Sequence, residues 1–242
     1  MLSLINLETE QPIEFKTWKF PAGEIGVRVE SEVPKNTDVL ITTGRHIDPS
    51  SDTFMAILLL IDAFQQMHVR PHVELPYMPY GRQDKVHAKG EPKAVYLMSR
   101  LLRAAGACTI ATLDGHSNVQ TIYSKTPALL PKLVQKYNTI VFPDAGAKTR
   151  YTPLIKGKHI VYAKKVRNKE TGEIVDYRLA GVPSGRILVV DDICDGGRTF
   201  VELGKLLPYK ADLYVTHGIF SKGKEELRKY YRKFFHITGK NS

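Results

Sequence analysis

A short apolar run that ends in two acids constrains the fold of this chain more than any other feature. Four apolar residues, Ile187 to Val190, are followed directly by Asp191 and Asp192 and then by a glycine-containing loop. A run this short, bounded by polar residues, predicts a strand that is buried on both faces, as is typical of parallel sheets. Parallel strands need long crossover connections, usually helices, so the sequence predicts an α/β fold.

The rest of the chain alternates in the same way between short β-rich runs and helical segments. Strands are predicted over 38–44, 72–78, 108–116, 138–146, 159–166 and 212–218. Helices are predicted over 51–69, with Ser51 or Asp52 as its cap, over 93–107, over 127–137, and from Thr199 to near Pro208. The pattern runs twice, which predicts an N-terminal domain over 1–130 and a C-terminal domain over 131–242.

Length and composition are those of an ordinary globular protein. The chain has 242 residues, of which 43% are hydrophobic and 25% charged, and no apolar run approaches membrane-spanning length. The first residues lack the basic region and long apolar core of a signal peptide. Two cysteines, Cys108 and Cys194, predict a reducing compartment, no disulfide framework and small packing roles in apolar strands. We therefore expect a cytoplasmic protein that does not bind a membrane.

The net charge of +10 indicates an anionic ligand without identifying it. A basic protein binds nucleic acid, or small polyanions such as nucleotides and phosphosugars. The densest basic segment, 222–233, has helical spacing and is predicted to be a helix with a solvated basic face. No RNA-recognition, zinc-finger or KH signature accompanies it, so we expect no nucleic-acid partner.

The residues after the acid pair form a candidate phosphate loop. The segment DGGRT (195–199) leads from the carboxyl end of the predicted strand into a helix N-terminus. Open α/β sheets bind ligands at that end, and the free N–H groups of a helix N-terminus favour an anion. Carboxylates that hold a diol, beside a loop that holds a phosphate, predict a site for a ribose 5-phosphate. We expect this site where strand ends from both halves converge.

Two further groups in the first half carry candidate chemistry. Within PYGRQDK (79–85), Arg82 suits a phosphate and Gln83 suits a purine edge, although both residues also fit an ordinary polar loop. Asp114 and His116 are two apart at a strand end and are expected to share a face. Their surroundings favour Mg²⁺ bridged to phosphate oxygens over Zn²⁺, and a simple polar turn is the alternative.

A third group lies in the second half, where Lys165 and Arg167 belong to a predicted basic β-hairpin arm that includes 163–173. The two cations share one face of a strand, which suits charge neutralisation on a transferring phosphoryl group. A solvated basic hairpin is the alternative interpretation.

In this order, these segments resemble a short form of the ribose-phosphate pyrophosphokinase (PRPP synthetase) family from about Trp18 to Phe235. PYGRQDK resembles the PYARQDK-type ATP loop of the family, and TLDGHS (112–117) resembles its D-L-H metal segment. FPDAGAKTR, VVDDICDGGRT and THGIFS resemble its S-P-D-A-G segment, its V-D-D-x-x-D-T-x-G-T ribose-phosphate loop and its T-H-G-[IV]-F-S segment. The ribose-phosphate loop alone also fits phosphoribosyltransferases, whereas the combination is specific to the synthetases.

The resemblance implies two type I phosphoribosyltransferase-like domains, each a mainly parallel sheet flanked by helices, in a homo-oligomer. It implies Mg²⁺-dependent transfer of the β,γ-pyrophosphoryl group of ATP to the anomeric hydroxyl of ribose 5-phosphate, giving PRPP and AMP. The implied ATP-binding residues, the first two of which reach a neighbouring subunit, are Phe20, Glu24, Arg82, Gln83, Asp84 and His116. The implied metal ligands are His116, Asp144 and Asp114, and the implied catalytic residues are Lys165, Arg167 and His116. The implied ribose-phosphate residues are Asp191, Asp192, Asp195, Gly196, Gly197, Arg198 and Thr199.

Three departures from the family pattern bear on the site. Ala22 stands where Asn or Asp is usual, and Gly115 stands where leucine is usual. DGGRT replaces D-T-x-G-T, which adds Gly196 and the cation of Arg198. A roomier and more positive loop suits a 5-diphosphate, so ADP-ribose is an alternative acceptor, with a product that feeds NAD synthesis. A catalytically silent regulatory homologue is the alternative from another class.

Overall fold

The computed structural model describes residues 2–117, 119, 122–167 and 174–239, and for 165–167 and 174–176 the backbone alone. Two compact units are present, one ending at Thr126 and the other running from Pro127 to Gly239. Within the described ranges, no helix combines the length and apolar character that crossing a membrane requires. Both units contain helices and mainly parallel sheets, which confirms the predicted α/β fold.

The first unit contains a five-stranded sheet, a separate two-stranded hairpin and two helices. Its strands are β1 (Ser3–Asn6), β2 (Phe15–Lys19), β3 (Ile25–Val29), β4 (Asp38–Thr42), β5 (Arg70–Glu74), β6 (Thr109–Leu113) and β7 (Tyr123–Lys125). The helices are α1 (Ser51–Gln66) and α2 (Ala94–Ala104). The sheet has the order β1–β4–β5–β6–β7, with β1 antiparallel and the other strands parallel, while β2 and β3 form the hairpin.

Helix α1 begins at Ser51, as the sequence predicts, but its cap lies one residue earlier than expected. Ser50, rather than Ser51 or Asp52, is the cap, because its hydroxyl oxygen accepts the Thr53 N–H at 3.2 Å. The helix ends where His68 takes a left-handed conformation with φ of +58°. Its buried residues recur at helical spacing, so one face packs into the core of the first unit: Ala56, Ile57, Leu60, Ile61 and Phe64.

The second unit contains a seven-stranded sheet and three short helices. Its strands are β8 (Thr139–Phe142), β9 (His159–Arg167), β10 (Ile174–Ala180), β11 (Ile187–Cys194), β12 (Ala211–Gly218), β13 (Tyr231–Phe235) and β14 (Thr238–Gly239). The helices are α3 (Leu129–Val134), α4 (Ala145–Tyr151) and α5 (Arg198–Leu206). The order is β10–β9–β8–β11–β12–β13, and β14 pairs with β12. Only the β9–β10 pair is antiparallel among the described strands of this sheet.

The central strand β11 is buried on both faces, as its apolar run predicts. It pairs in parallel with β8 on one side and β12 on the other. Ile187 and Val189 pack on the α5 side, while Leu188 and Val190 pack on the α4 side. This alternation is the ordinary period of a strand, and it continues into the two acids that follow.

The predicted basic helix over 222–233 is wrong. A single 3₁₀ turn (Leu227–Lys229) is followed by β13, which pairs in parallel with β12. Tyr231 is 1% exposed and donates its hydroxyl to the Phe200 carbonyl at 2.7 Å. Aromatic residues favour a half-buried strand, and burying this tyrosine outweighs the helical spacing of the charges.

The two cysteines differ in their surroundings. Cys194 is buried at the end of β11, as expected, but Cys108 is exposed. Cys108 precedes β6, and its carbonyl accepts from the Arg103 guanidinium at 2.6 Å. The predicted packing role of Cys108 is therefore wrong, because this residue belongs to the connection and not to the strand.

Candidate active site

The acid pair lies at the carboxyl end of β11, but its members are on opposite faces of the strand. Because successive side chains of a strand alternate between its faces, Asp191 belongs to the face on the α5 side and Asp192 to the face on the α4 side. Asp192 is 4% exposed, whereas Asp191 is partly accessible. The Asp192 N–H donates to Asp191 Oδ1 at 3.0 Å. The two carboxylates therefore share the strand end but not a strand face.

Arg150, which the sequence reasoning did not assign to the site, is the partner of Asp192. Its Nη1 lies 2.8 Å from Asp192 Oδ2, and its side chain is only 29% exposed. The signal was available in FPDAGAKTR, where a cation falls six residues after Asp144 on the helix that covers this face. A buried carboxylate needs such a partner, so the contact with Arg150 offsets the burial of Asp192 and fixes its orientation.

Three carboxylates and a tyrosine gather at this edge of the second unit. Burial, followed by repulsion from Asp192 and Asp144, raises the pKa of Asp191 well above its ordinary value. Burial and the charges of Asp144 and Asp191 raise the pKa of Tyr177, whose hydroxyl donates to the Pro143 carbonyl at 3.2 Å. Concentrated negative charge of this kind suits a bound cation or hydroxyl donors.

The phosphate loop has the geometry of an anion cradle. Gly197 is the cap residue of α5 and has φ of +78°, in the left-handed region. In the described part of the chain no side chain caps this helix. The Phe200 and Val201 N–H groups donate to the Gly197 carbonyl at 3.0 Å, so the N–H groups of Arg198 and Thr199 precede the first hydrogen bonds of the helix and suit an anion. Gly196 and Arg198 are exposed, so the cradle opens to solvent.

Gly196 and Gly197 are needed in the loop to different degrees, so replacing each with alanine should have a different effect on stability. At Gly197 a Cβ would combine left-handed strain with a 3.3 Å approach to Leu227 Cδ1. We expect Gly197→Ala to lower the free energy of unfolding by about 1–2 kcal/mol and to weaken acceptor binding. At Gly196 the nearest atom to a Cβ is Lys222 Cδ at 3.7 Å, so Gly196→Ala should change stability by less than about 0.5 kcal/mol. Urea unfolding of both variants checks this, and equal losses would contradict it.

In the first unit, the exits of β5 and β6 bring the candidate ATP loop next to His116. The Leu113 N–H donates to the Pro76 carbonyl at 3.1 Å, so the two strand exits run side by side. A Cβ built on Gly81 would lie 4.0 Å from His116 Cβ. Arg82 and His116 are exposed, while Gln83 and Asp84 are half-buried. The loop and the imidazole can therefore contact one ligand.

Asp114 and His116 do not share a strand face as expected. β6 ends at Leu113, and Asp114 has φ of +49° and is 6% exposed, whereas His116 is exposed. The close packing around residue 115 explains why this chain has glycine where leucine is usual. The Gly115 N–H donates to Ser124 Oγ at 2.8 Å, and a Cβ would approach Thr112 Cγ2 to 3.0 Å.

The predicted residues Phe20 and Glu24 lie at the exposed tip of the β2–β3 hairpin. The Phe20 N–H donates to the Glu24 carbonyl at 2.8 Å, and Gly23 supplies the left-handed turn with φ of +103°. Phe20 is 47% exposed and contacts Trp18 edge-to-face with ring centroids 5.6 Å apart. An exposed aromatic pair on a hairpin tip is a suitable contact for another surface or a base.

The predicted catalytic cations lie on β9, where the structure gives their backbone only. Lys165 pairs with Tyr177 and Arg167 pairs with Ile174 across the antiparallel β9–β10 ladder. Residues 168–173 of the predicted arm fall outside the described residues. The two strands of the predicted hairpin arm are therefore present as β9 and β10. The catalytic roles of the Lys165 and Arg167 side chains stay predictions.

The donor groups fit Mg²⁺ only when phosphate oxygens complete the coordination. Within the described ranges, no group of three or more His, Cys, Asp or Glu could hold a metal without other ligands. Asp144 accepts the Ala147 N–H through Oδ1 at 2.9 Å, and His116 is exposed at a strand exit. Mg²⁺ commonly takes one or two protein ligands and binds the rest of its shell to water and substrate phosphates, so His116 in the first unit and Asp144 in the second each suit one position in such a shell.

Comparison with known proteins decides the family. A family model for the N-terminal domain of ribose phosphate pyrophosphokinase matches residues 6–106. The ribose-phosphate pyrophosphokinase of Methanothermobacter thermautotrophicus is 30% identical over 221 residues, which cover 85% of this chain and 75% of the relative. The chain belongs to the ribose-phosphate pyrophosphokinase family. The enzyme of that name from Maricaulis maris is 31% identical over 225 residues, covering 84% of this chain and 71% of that one.

Comparison with a solved structure shows that this chain also has the fold of a known enzyme of the family. The phosphoribosylpyrophosphate synthetase of Mycobacterium smegmatis matches with a TM-score of 0.76 and 25% identity, over 92% of this chain and 78% of that chain. The two α/β units are accordingly of the phosphoribosyltransferase-like type, and this pyrophosphokinase is a transferase.

Proposed function

We propose that this pyrophosphokinase transfers the β,γ-pyrophosphoryl group of ATP to the anomeric hydroxyl of ribose 5-phosphate, giving PRPP and AMP. The observation that carries the proposal is the acid pair at the end of β11, followed directly by the α5 cradle. Asp191 accepts hydrogen bonds from the ribose 2- and 3-hydroxyls, together with Asp192 as Arg150 positions it. The α5 N–H groups hold the 5-phosphate.

The reaction needs positioning and charge stabilisation rather than a protein nucleophile. The anomeric oxygen attacks the β-phosphorus and releases its proton to water, while the bond from the β-phosphorus to the bridging oxygen of AMP breaks and that oxygen leaves with AMP. Arg82, Gln83 and Asp84 hold ATP. Lys165 and Arg167 on the β9–β10 arm stabilise the charge that develops on the transferring group.

The proposed metal is Mg²⁺, bound with ATP and held by His116 and Asp144, while Asp114 is a predicted ligand with a buried side chain. When bound, the ion neutralises phosphate charge in the transition state. We also propose that the enzyme is a homo-oligomer in which Phe20 and Glu24 of one copy contact the ATP of another. The exposed hairpin tip supports that contact. We further propose that the protein has two domains, 1–130 and 131–242, and that it is located in the cytoplasm.

A second candidate acceptor is ADP-ribose, which would place the product in NAD metabolism. It is favoured by the loop itself, because Arg198 is exposed beside an open glycine where the family pattern has a threonine. A cation at this position can bind a second phosphate in a 5-diphosphate.

AMP release from ATP and Mg²⁺ tests the proposal, with ribose 5-phosphate and ADP-ribose supplied separately. We expect AMP to form with ribose 5-phosphate and Lys165→Ala to lower kcat about a hundredfold or more. Faster turnover of ADP-ribose would transfer the assignment to the second candidate. Release of no AMP with either acceptor would contradict both.

A further inference from the structure

The segment after β12 runs along the phosphate loop in a fixed register. The N–H groups of Ile219 and Phe220 donate to the Cys194 carbonyl at 2.9 and 3.1 Å. The Ser221 N–H donates to the Asp195 carbonyl at 3.2 Å. Residues 219–221 therefore run beside 194–195, and the next residue, Lys222, lies near Gly196, the first loop glycine.

A tight turn with a packed anchor holds this position. The Gly223 N–H donates to the Phe220 carbonyl at 2.8 Å, and Gly223 has φ of +72°. The Phe220 ring packs edge-to-face against Phe234 and His236, with centroids 6.0 and 5.7 Å away. Residue 222 therefore lies at the corner of a turn whose base is fixed in the core.

The Lys222 side chain runs past Gly196 of the loop. Its Cγ, Cδ and Cε atoms are 3.7–3.9 Å from the position that a Cβ on Gly196 would occupy. The ammonium group is one bond beyond Cε and therefore also lies near Gly196. Lys222 is exposed to solvent. Lys224 differs, because its Nζ lies 4.3 Å from the centre of the Phe220 ring.

We propose that Lys222 is an acceptor-binding residue that recognises the anionic 5-substituent of the sugar. This inference rests on the proposed function, since the cradle must hold that substituent. An ammonium group at the rim adds a charge-assisted hydrogen bond to phosphate oxygens that the α5 N–H groups already hold. With Arg198 it makes the rim doubly cationic, so the affinity of the site depends on the charge of the 5-substituent.

Steady-state kinetics of Lys222→Ala tests this, with ribose 5-phosphate and ADP-ribose as separate acceptors. We expect the KM for the acceptor to rise about tenfold while kcat and the KM for ATP change less than about twofold. An increase with both acceptors places the ammonium on the phosphate nearest the sugar. An increase with ADP-ribose alone places it on the outer phosphate. Lys222→Arg should restore most of the affinity, and Lys224→Ala is the matched control that should leave it unchanged.

Calorimetric titration of ribose 5-phosphate and ADP-ribose separates this inference from the proposed function. If wild-type protein turns over neither acceptor but binds one with an affinity that Lys222→Ala weakens, the function fails and the role of Lys222 stands. An unchanged acceptor KM and Kd in a folded Lys222→Ala protein, or an equal loss in Lys224→Ala, would overturn the role of Lys222.

Discussion

Replacing Asp191 with asparagine should lower kcat/KM for ribose 5-phosphate about a hundredfold and leave the KM for ATP nearly unchanged. A hydrogen bond from a hydroxyl to a charged acceptor contributes about 1.5–3 kcal/mol. Asparagine loses one such bond, because its NH2 group cannot accept, and weakens the other, because its oxygen is neutral, which together correspond to about that factor. The amide of asparagine keeps the shape of the side chain but not its charge. Initial rates of AMP formation at varied acceptor concentration measure the effect.

The same substitution should stabilise the fold. Burial and the neighbouring carboxylates raise the pKa of Asp191, so the charged form opposes folding at neutral pH. Below the ordinary carboxyl pKa of about 4, the group is neutral in both the folded and unfolded states, and the gain in stability should vanish. Thermal unfolding of the variant at neutral and acid pH checks the sign. Asp62→Asn, at an exposed position on α1, is the matched control that should change neither activity nor stability. A less stable Asp191→Asn protein at neutral pH would show that the carboxylate is structural.

Replacing Arg150 with methionine should lower the free energy of unfolding by about 2–3 kcal/mol. The change leaves Asp192, 4% exposed, as a buried charge whose 2.8 Å partner is gone. Losses of about 3–5 kcal/mol are typical when one member of a buried pair is removed, and the partial exposure of Arg150 reduces the expected value. Urea unfolding gives the stability, and a rise in the acceptor KM should accompany the loss because Asp192 is no longer positioned.

Two further variants show whether the loss comes from the buried Asp192 carboxylate that has lost Arg150. Adding Asp192→Asn to Arg150→Met should recover part of the stability, because the buried charge that faced Arg150 is removed. Lys205→Met breaks an exposed pair of the same length, 2.8 Å to Glu202, and should cost less than about 0.5 kcal/mol. If Arg150→Met were no more destabilising than Lys205→Met, the buried pair would have no special role.

Much of the second unit follows from local sequence. The run Ile187 to Val190 predicts a parallel strand buried on both faces, because apolar residues in both phases leave no solvent face. DGGRT predicts a loop that leads into a helix N-terminus, and the structure enters α5 there through Gly197 in the left-handed region. These features depend on a few consecutive residues, which is why the sequence is enough to predict them.

Features that depend on distant partners were missed. The separation of Asp191 and Asp192 onto two faces follows from strand alternation, yet the pairing with Arg150 requires knowing that α4 covers one face. The basic segment near residue 230 has helical charge spacing, but β12 offers Tyr231 a buried edge that the local pattern does not reveal. Asp114 leaves the strand phase because β6 ends at Leu113. Lys222 lies near Gly196 because the segment after β12 is hydrogen-bonded to residues 194–195, which are distant in the sequence.

Phosphorus NMR of a reaction containing the purified protein, ATP, Mg²⁺ and ribose 5-phosphate tests the central claim most directly. Intact pyrophosphoryl transfer predicts that AMP and a sugar with a diphosphate on its anomeric carbon appear in equal amounts as ATP disappears. Formation of ADP with a sugar that carries a single anomeric phosphate, or no consumption of ATP by correctly folded protein, would contradict it.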